Sequence, residues 1–212
     1  VFVGDGSSKG GIRREYLKPT IPNSINYDCT NADVLINRTT IKNNQLVLPE
    51  GNAYSYLLLK DIKLIELSTL RRLKAIVDAG IPIIGERPKS LAGYKISAEL
   101  KKEFDELCDY IWSKPNCKTT FDFSTLKPDF EAKGQDLIFS HRKTADSDIY
   151  FFYNEEKKPV SHECLFRVAN KIPELWNAET GEITKLANFR SEGEYTRLWI
   201  DLKSEESAFI VF

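Results

Sequence analysis

Read for the period of its apolar positions, the chain changes grammar once, near Asp136. Before that point, short apolar runs alternate with stretches of helical period. Tyr56-Leu57-Leu58-Leu59 is a continuous apolar run, the pattern of a strand covered on both faces. Leu70, Leu73, Ala75, Ile76 and Val77 fall on one broad helical stripe, with Ser68 as its candidate cap and Gly80 as its stop. Ile81-Pro82-Ile83-Ile84-Gly85 then reads as a second buried strand, so this region predicts a parallel, right-handed βαβ unit. Thr30 to Asn37 predicts a short capped helix, and Thr40 to Leu48 predicts a hairpin turning at Asn43-Asn44. Ser97 to Trp112 is an amphipathic helix carrying Leu100, Phe104, Leu107, Cys108 and Ile111 inward. Thr119 to Phe123 is a candidate strand, and Glu131 to Gly134 reads as linker.

Beyond the linker the period becomes two. Leu137 and Phe139, then Ile149, Phe151 and Tyr153, alternate about the polar turn Lys143 to Ser147. Candidate strands start at Asp136, Asp148, Cys164, Glu174, Ile183, Arg197 and Ala208, a spacing of roughly ten residues that predicts a β-sandwich. Trp176 and Trp199 are large enough to anchor its core, and that placement is preferred to sugar stacking. The expected architecture is two domains. Residues 1–130 form a Rossmann-like α/β domain of flavodoxin-like or glutamine-amidotransferase-like type, with three layers and a mostly parallel sheet, and residues 135–212 form an all-β sandwich.

Length supports that division, since 212 residues suffice for two cores of ordinary size. Thirty Lys plus Arg against 31 Asp plus Glu leave a net charge of -1, which provides no general field for nucleic acid or an anionic membrane. No apolar run approaches the ~20 residues of a membrane helix. The chain contains no Met and opens on Val1-Phe2-Val3-Gly4, a strand already under way, so further residues are expected upstream.

Candidate chemistry is sparse. The loop Asp5 to Gly11 follows the first apolar run, but its glycines do not give GxGxxG, no GKS or GKT is present, and Pro19 and Pro22 follow where a helix should open. Asp5, Ser7, Ser8 and Lys9 then belong to a loop at the carboxyl end of a strand, where ligands and neighbouring domains sit in open α/β sheets, and are candidates for facing such a domain. Cys29, Cys108, Cys117 and Cys164 contain no CxxC pair, and His162 with Cys164 supplies only two groups at i and i+2, so no metal site is assigned. His141 and Arg142 close the first sandwich strand and are candidates for a domain interface. Asp146 and Asp148 flank a turn and Glu155-Glu156 is a solvated run, so neither pair offers the two carboxyls, one with a raised pKa, that inverting glycoside hydrolysis requires.

Several strings are more specific. NADVLINR at Asn31 to Arg38, LAGY at Leu91 to Tyr94, HRKTADSDIYFFYN at His141 to Asn154 and PELWNAETGEI at Pro173 to Ile183, in that order, resemble the carboxyl-terminal part of the α-L-rhamnosidases of glycoside hydrolase family 106. The resemblance runs from Val1 to Phe212. It implies a secreted or periplasmic bacterial enzyme that removes rhamnose from plant polysaccharide by inversion, with catalytic carboxylates and calcium ligands on an upstream (β/α)8 barrel. None of those residues can be carried onto this chain. The implied role is a non-catalytic accessory segment whose partner is the barrel of the same polypeptide, with no cofactor of its own. Two other readings stay open: a carbohydrate-binding module in which Trp176, Tyr195 or Trp199 stacks on sugar, and a flavodoxin-like domain binding a small molecule.

Overall fold

A computed structural model describes residues 1–5, 12–133 and 137–212. They form two compact units, one of residues 1–21 and 27–123, the other of residues 22–26 and 124–212.

The first unit is assembled from short pieces. Strands β1 (Thr40–Lys42), β2 (Gln45–Val47) and β3 (Ala53–Tyr54) make an antiparallel sheet. The β1–β2 turn is the Asn43-Asn44 pair, both with positive φ (50° and 57°), the combination a two-residue hairpin turn requires and Asn tolerates. Strands β4 (Leu57–Leu58), β5 (Leu64–Ile65), β6 (Ile83–Ile84), β7 (Ser90–Leu91) and β8 (Cys117–Lys118) pair in parallel, as β4-β6-β8 and β5-β7. Helices α1 (Leu67–Asp78) and α2 (Ala98–Trp112) pack their apolar stripes into this core: Leu70, Leu73, Ile76 and Val77 from one, Phe104, Cys108 and Ile111 from the other. Gly80, with φ 81°, follows α1, and the Ser97 hydroxyl at the start of α2 accepts from the Leu100 N–H at 3.3 Å. The segment Val34–Arg38 closes a wide turn, its start capped by Asn31. Arg72 of α1 gathers the oxygens at its end, donating to Leu35 O at 3.0 Å and Thr39 O at 2.7 Å.

The mostly parallel, three-layer α/β domain expected for residues 1–130 does not form. Among the described residues parallel pairing is limited to two-residue ladders and the single bridges of Phe2 with Thr30 and Leu59, beside an antiparallel sheet, and the described part of the molecule is dominated by antiparallel β-structure with few helices. The local reason lies in the residues that bound each strand. Pro82 lacks an N–H and contributes only its carbonyl, to Leu57 N–H at 3.0 Å, while Gly85 turns the chain away with φ 148° and Pro115 precedes β8.

The second unit is all-β. Its five-stranded sheet is ordered β10-β11-β17-β13-β14 and its four-stranded sheet β15-β16-β12-β9. The strands are β9 (Phe130–Ala132), β10 (Ile138–Lys143), β11 (Asp148–Tyr153), β12 (Val160–Phe166), β13 (Glu174–Trp176), β14 (Ile183–Lys185), β15 (Phe189–Glu192), β16 (Tyr195–Leu202) and β17 (Ser207–Val211). The supposed linker therefore contributes β9, and nine strands form where seven were expected. The inward faces meet in an aromatic core: Phe130 lies 4.7 Å from Phe139 and 4.8 Å from Phe152, and Tyr150 packs edge-on against Phe166 at 4.9 Å.

Trp176 and Trp199 are not in that core. They are 38% and 61% exposed. The reason for Trp199 is its register: Thr196, Leu198, Ile200 and Leu202 are the buried face of β16, so Trp199 must point outward with Arg197 and Asp201.

Candidate functional site

Of the amino-terminal loop candidates, Ser7, Ser8 and Lys9 lie outside the described residues. Asp5 is placed, and its carboxylate sits at the start of α1, accepting from Glu66 N–H at 2.8 Å and from the Thr69 hydroxyl. It does the work that Ser68 was expected to do, from 61 residues away. A negative group there satisfies free N–H groups and opposes the positive end of the helix. Asp5→Ala should lower stability by about 1 kcal/mol, measured by denaturant titration; an unchanged midpoint would show the cap to be dispensable.

His141 and Arg142 part company. Arg142 faces solvent and returns to the backbone, donating to the His141 carbonyl at 2.9 Å. His141 turns inward, stacked on Tyr150 with ring centroids 4.0 Å apart and planes 6° from parallel. Its Nδ1 lies 2.7 Å from Asp129 and its Nε2 3.2 Å from Asp148. Asp129 precedes β9 in one sheet, and Asp148 opens β11 in the other, so the ring clasps the two sheets together. Arg167 (3.2 Å) also meets Asp129, and Lys171 (3.0 Å) also meets Asp148. Burial alone would raise the Asp129 carboxyl; the His141 hydrogen bond, then the charges of His141 and Arg167, outweigh it and hold this carboxyl below the ordinary range. For Asp148 burial is again opposed, by the Lys171 hydrogen bond and the charges of Lys143 and Lys171. Two acids held ionised around a histidine do not furnish the protonated acid of glycoside hydrolysis. Both imidazole bonds are satisfied only when the ring carries two protons, because carboxylates accept and do not donate.

The sugar-stacking candidates lie on different surfaces. Trp176 is on the outer face of the five-stranded sheet, opposite Phe209 and Ile183, and its indole N–H donates to Glu174 at 3.0 Å. Tyr195 and Trp199 share the outer face of β16, with Arg197 between them. Beside Trp199 runs a groove of about 350 Å³, lined by Asn188, Arg190, Arg197, Glu163 and the Trp199 ring. Arg197 is fixed there, its Nε and Nη2 on Glu192 at 2.8 Å each and its Nη1 on Glu163 at 3.2 Å. Glu163 is also held by Lys133 at 2.9 Å.

The sequence singled out neither Asp129 nor the groove-lining charges. No local pattern marks Asp129, which reaches His141 from the segment preceding β9. The groove did leave a trace, in the period-two run Tyr195, Arg197, Trp199, Asp201 on the polar side of a strand.

The described residues hold no cluster of three or more His, Cys, Asp or Glu that could bind a metal ion. Burial pushes the thiols of Cys108 and Cys117 up to about 11 and that of Cys164 to about 12, which leaves them protonated and poorly nucleophilic. No helix among the described residues is long and apolar enough to cross a membrane.

Two much longer proteins match the chain over nearly all of its length. A protein of Formosa agariphila named "putative beta-glucuronidase" is 32% identical over 222 residues, covering all of this chain and 19% of that protein. The solved rhamnosidase from Novosphingobium sp. PP1Y matches with a TM-score of 0.81 and 26% identity, over 90% of this chain and 20% of that one. The chain thus spans about one fifth of the length of each, and its fold and relatives define a segment related to the glycoside hydrolases. The family profile for alpha-L-rhamnosidase matches residues 1–191, and the chain belongs to that family, glycoside hydrolase family 106.

Proposed function

We propose that the chain is a carboxyl-terminal, non-catalytic accessory segment of a family 106 glycoside hydrolase, supporting a catalytic (β/α)8 barrel elsewhere in the same polypeptide. The reading is carried by one observation: 90–100% of the chain aligns, yet it accounts for only 19–20% of each relative. The site chemistry supports it, since the acid pair Asp129 and Asp148 about His141 is closed on itself by cations and built as a clasp. The parent activity is an α-L-rhamnosidase acting on plant polysaccharide, with calcium bound in the barrel, working outside the cytoplasm.

Deleting the segment from the intact polypeptide tests the supporting role. The truncated enzyme should melt several degrees lower and lose rhamnoside turnover in proportion to the folded fraction remaining. Full retention of both melting point and turnover would contradict it.

A further inference from the structure

We propose that the groove beside Trp199 is a binding site for an acidic sugar residue of a polysaccharide, a uronic acid stacked on the indole with its carboxylate on Arg190. The proposal uses the family membership of the chain and does not depend on where catalysis takes place.

Three features of the four-stranded sheet converge. Trp199 is 61% exposed on the outer face of β16 beside Arg197 and Asp201, so its ring is available as an amphipathic platform and is not filling a core. The C–H face of a pyranose matches such a ring, and the volume of about 350 Å³ lies within the range of small-ligand sites.

The groove is also built in advance. Arg197, Glu163, Glu192 and Lys133 hold one another in a chain of ion pairs, which fixes the Arg197 guanidinium and the Glu163 carboxylate along the groove wall before any ligand arrives. Glu163 is held ionised, first by the Lys133 hydrogen bond, and can accept from sugar hydroxyls.

The third feature decides the ligand's charge. Arg190 stands opposite Arg197 in the β15–β16 ladder, is exposed, and has no carboxylate within salt-bridge distance among the described residues. Arg190 therefore places a guanidinium at the groove whose charge acts on Glu192 without closing an ion pair. A guanidinium with free donors selects a planar, bidentate acceptor, which a uronic acid carries and a neutral hexose does not. Asn188 adds an amide that both donates and accepts at the rim.

Affinity electrophoresis of the full chain, in native gels containing polygalacturonate, a glucuronic-acid-bearing xylan, or neutral galactan, tests this directly. The chain should be retarded by at least one of the two acidic polymers and not by galactan. Trp199→Ala should weaken that retardation at least tenfold. Arg190→Ala should abolish the preference for acid, whereas Lys157→Ala, which removes a distant exposed cation, should change nothing. Both groove residues are exposed, and unchanged melting curves for the variants would show that folding is kept. Unretarded parent protein in both acidic gels, equal retardation of parent and Trp199→Ala, or equal retardation in acidic and neutral gels would each overturn the proposal. Hydrolysis of the polymer during binding would instead contradict the accessory role and leave the groove standing.

Discussion

His141→Ala should destabilise the second unit by about 3 kcal/mol, a large fraction of a domain's margin. The imidazole is 17% exposed and Asp148 only 5%, so the ring holds two carboxylates that water reaches poorly. Its removal leaves those charges facing a cavity, with Arg167, Lys143 and Lys171 as the remaining compensation, and it also removes the stacked contact with Tyr150. His141→Phe restores a ring over Tyr150 without hydrogen-bond donors, and should recover little of the loss. A near-normal melting point for His141→Phe would show that stacking, and not charge pairing, holds the clasp.

The same cluster sets an acid limit. Because the folded-state pKa values of Asp129 and Asp148 are depressed, their contribution is fully present above the unfolded carboxylate value, ~3.9, and is lost as pH falls through the lower folded values. Without His141 both carboxyls lose a hydrogen bond that lowers their pKa, so the acid transition of His141→Ala should move to higher pH. An unmoved acid midpoint would separate the clasp from the acid stability.

Gly85→Ala should be equally damaging in the first unit, costing about 3 kcal/mol by the combined effects of strain and overpacking. A Cβ at this position would stand 2.7 Å from Leu59 Cβ and 2.9 Å from Leu59 O, and φ 148° is a conformation few side chains accept. The neighbours cannot move aside cheaply. Leu59 N–H donates to Ile84 O at 2.7 Å, Gly85 N–H donates to Lys118 O at 2.8 Å, and the Trp112 indole donates to Gly85 O at 3.1 Å. Hydrogen exchange at Leu59 and Ile83 should accelerate in the variant; unchanged protection there would show that the ladder tolerates the methyl group.

What could be read from the sequence was what is local. The Asn43-Asn44 hairpin, the α1 stripe, the α2 stripe except Leu100, which is 42% exposed in the first turn, and most second-unit strands follow from period and turn chemistry within a dozen residues. The parallel α/β layering was inferred by joining such pieces, and it failed because Pro82, Gly85 and Pro115 cut the strands to two residues. Residues 131–134 look polar enough for a linker, yet Glu131 and Ala132 belong to β9, whose Phe130 is an aromatic core residue and which pairs with β12. Size alone would bury Trp199, whereas the alternation along β16 assigns it to the outer face. His141 was visible as an oddity, but its partnership with Asp129 is a tertiary contact between sheets that no spacing encodes.

The most direct test of the accessory role is the hydrolysis of an aryl α-L-rhamnoside by the purified 212-residue chain beside the intact polypeptide. The intact polypeptide should turn over substrate and the chain alone should show none above the uncatalysed rate. Turnover by the chain at rates comparable to the whole enzyme would place the catalytic groups within these residues and contradict the reading.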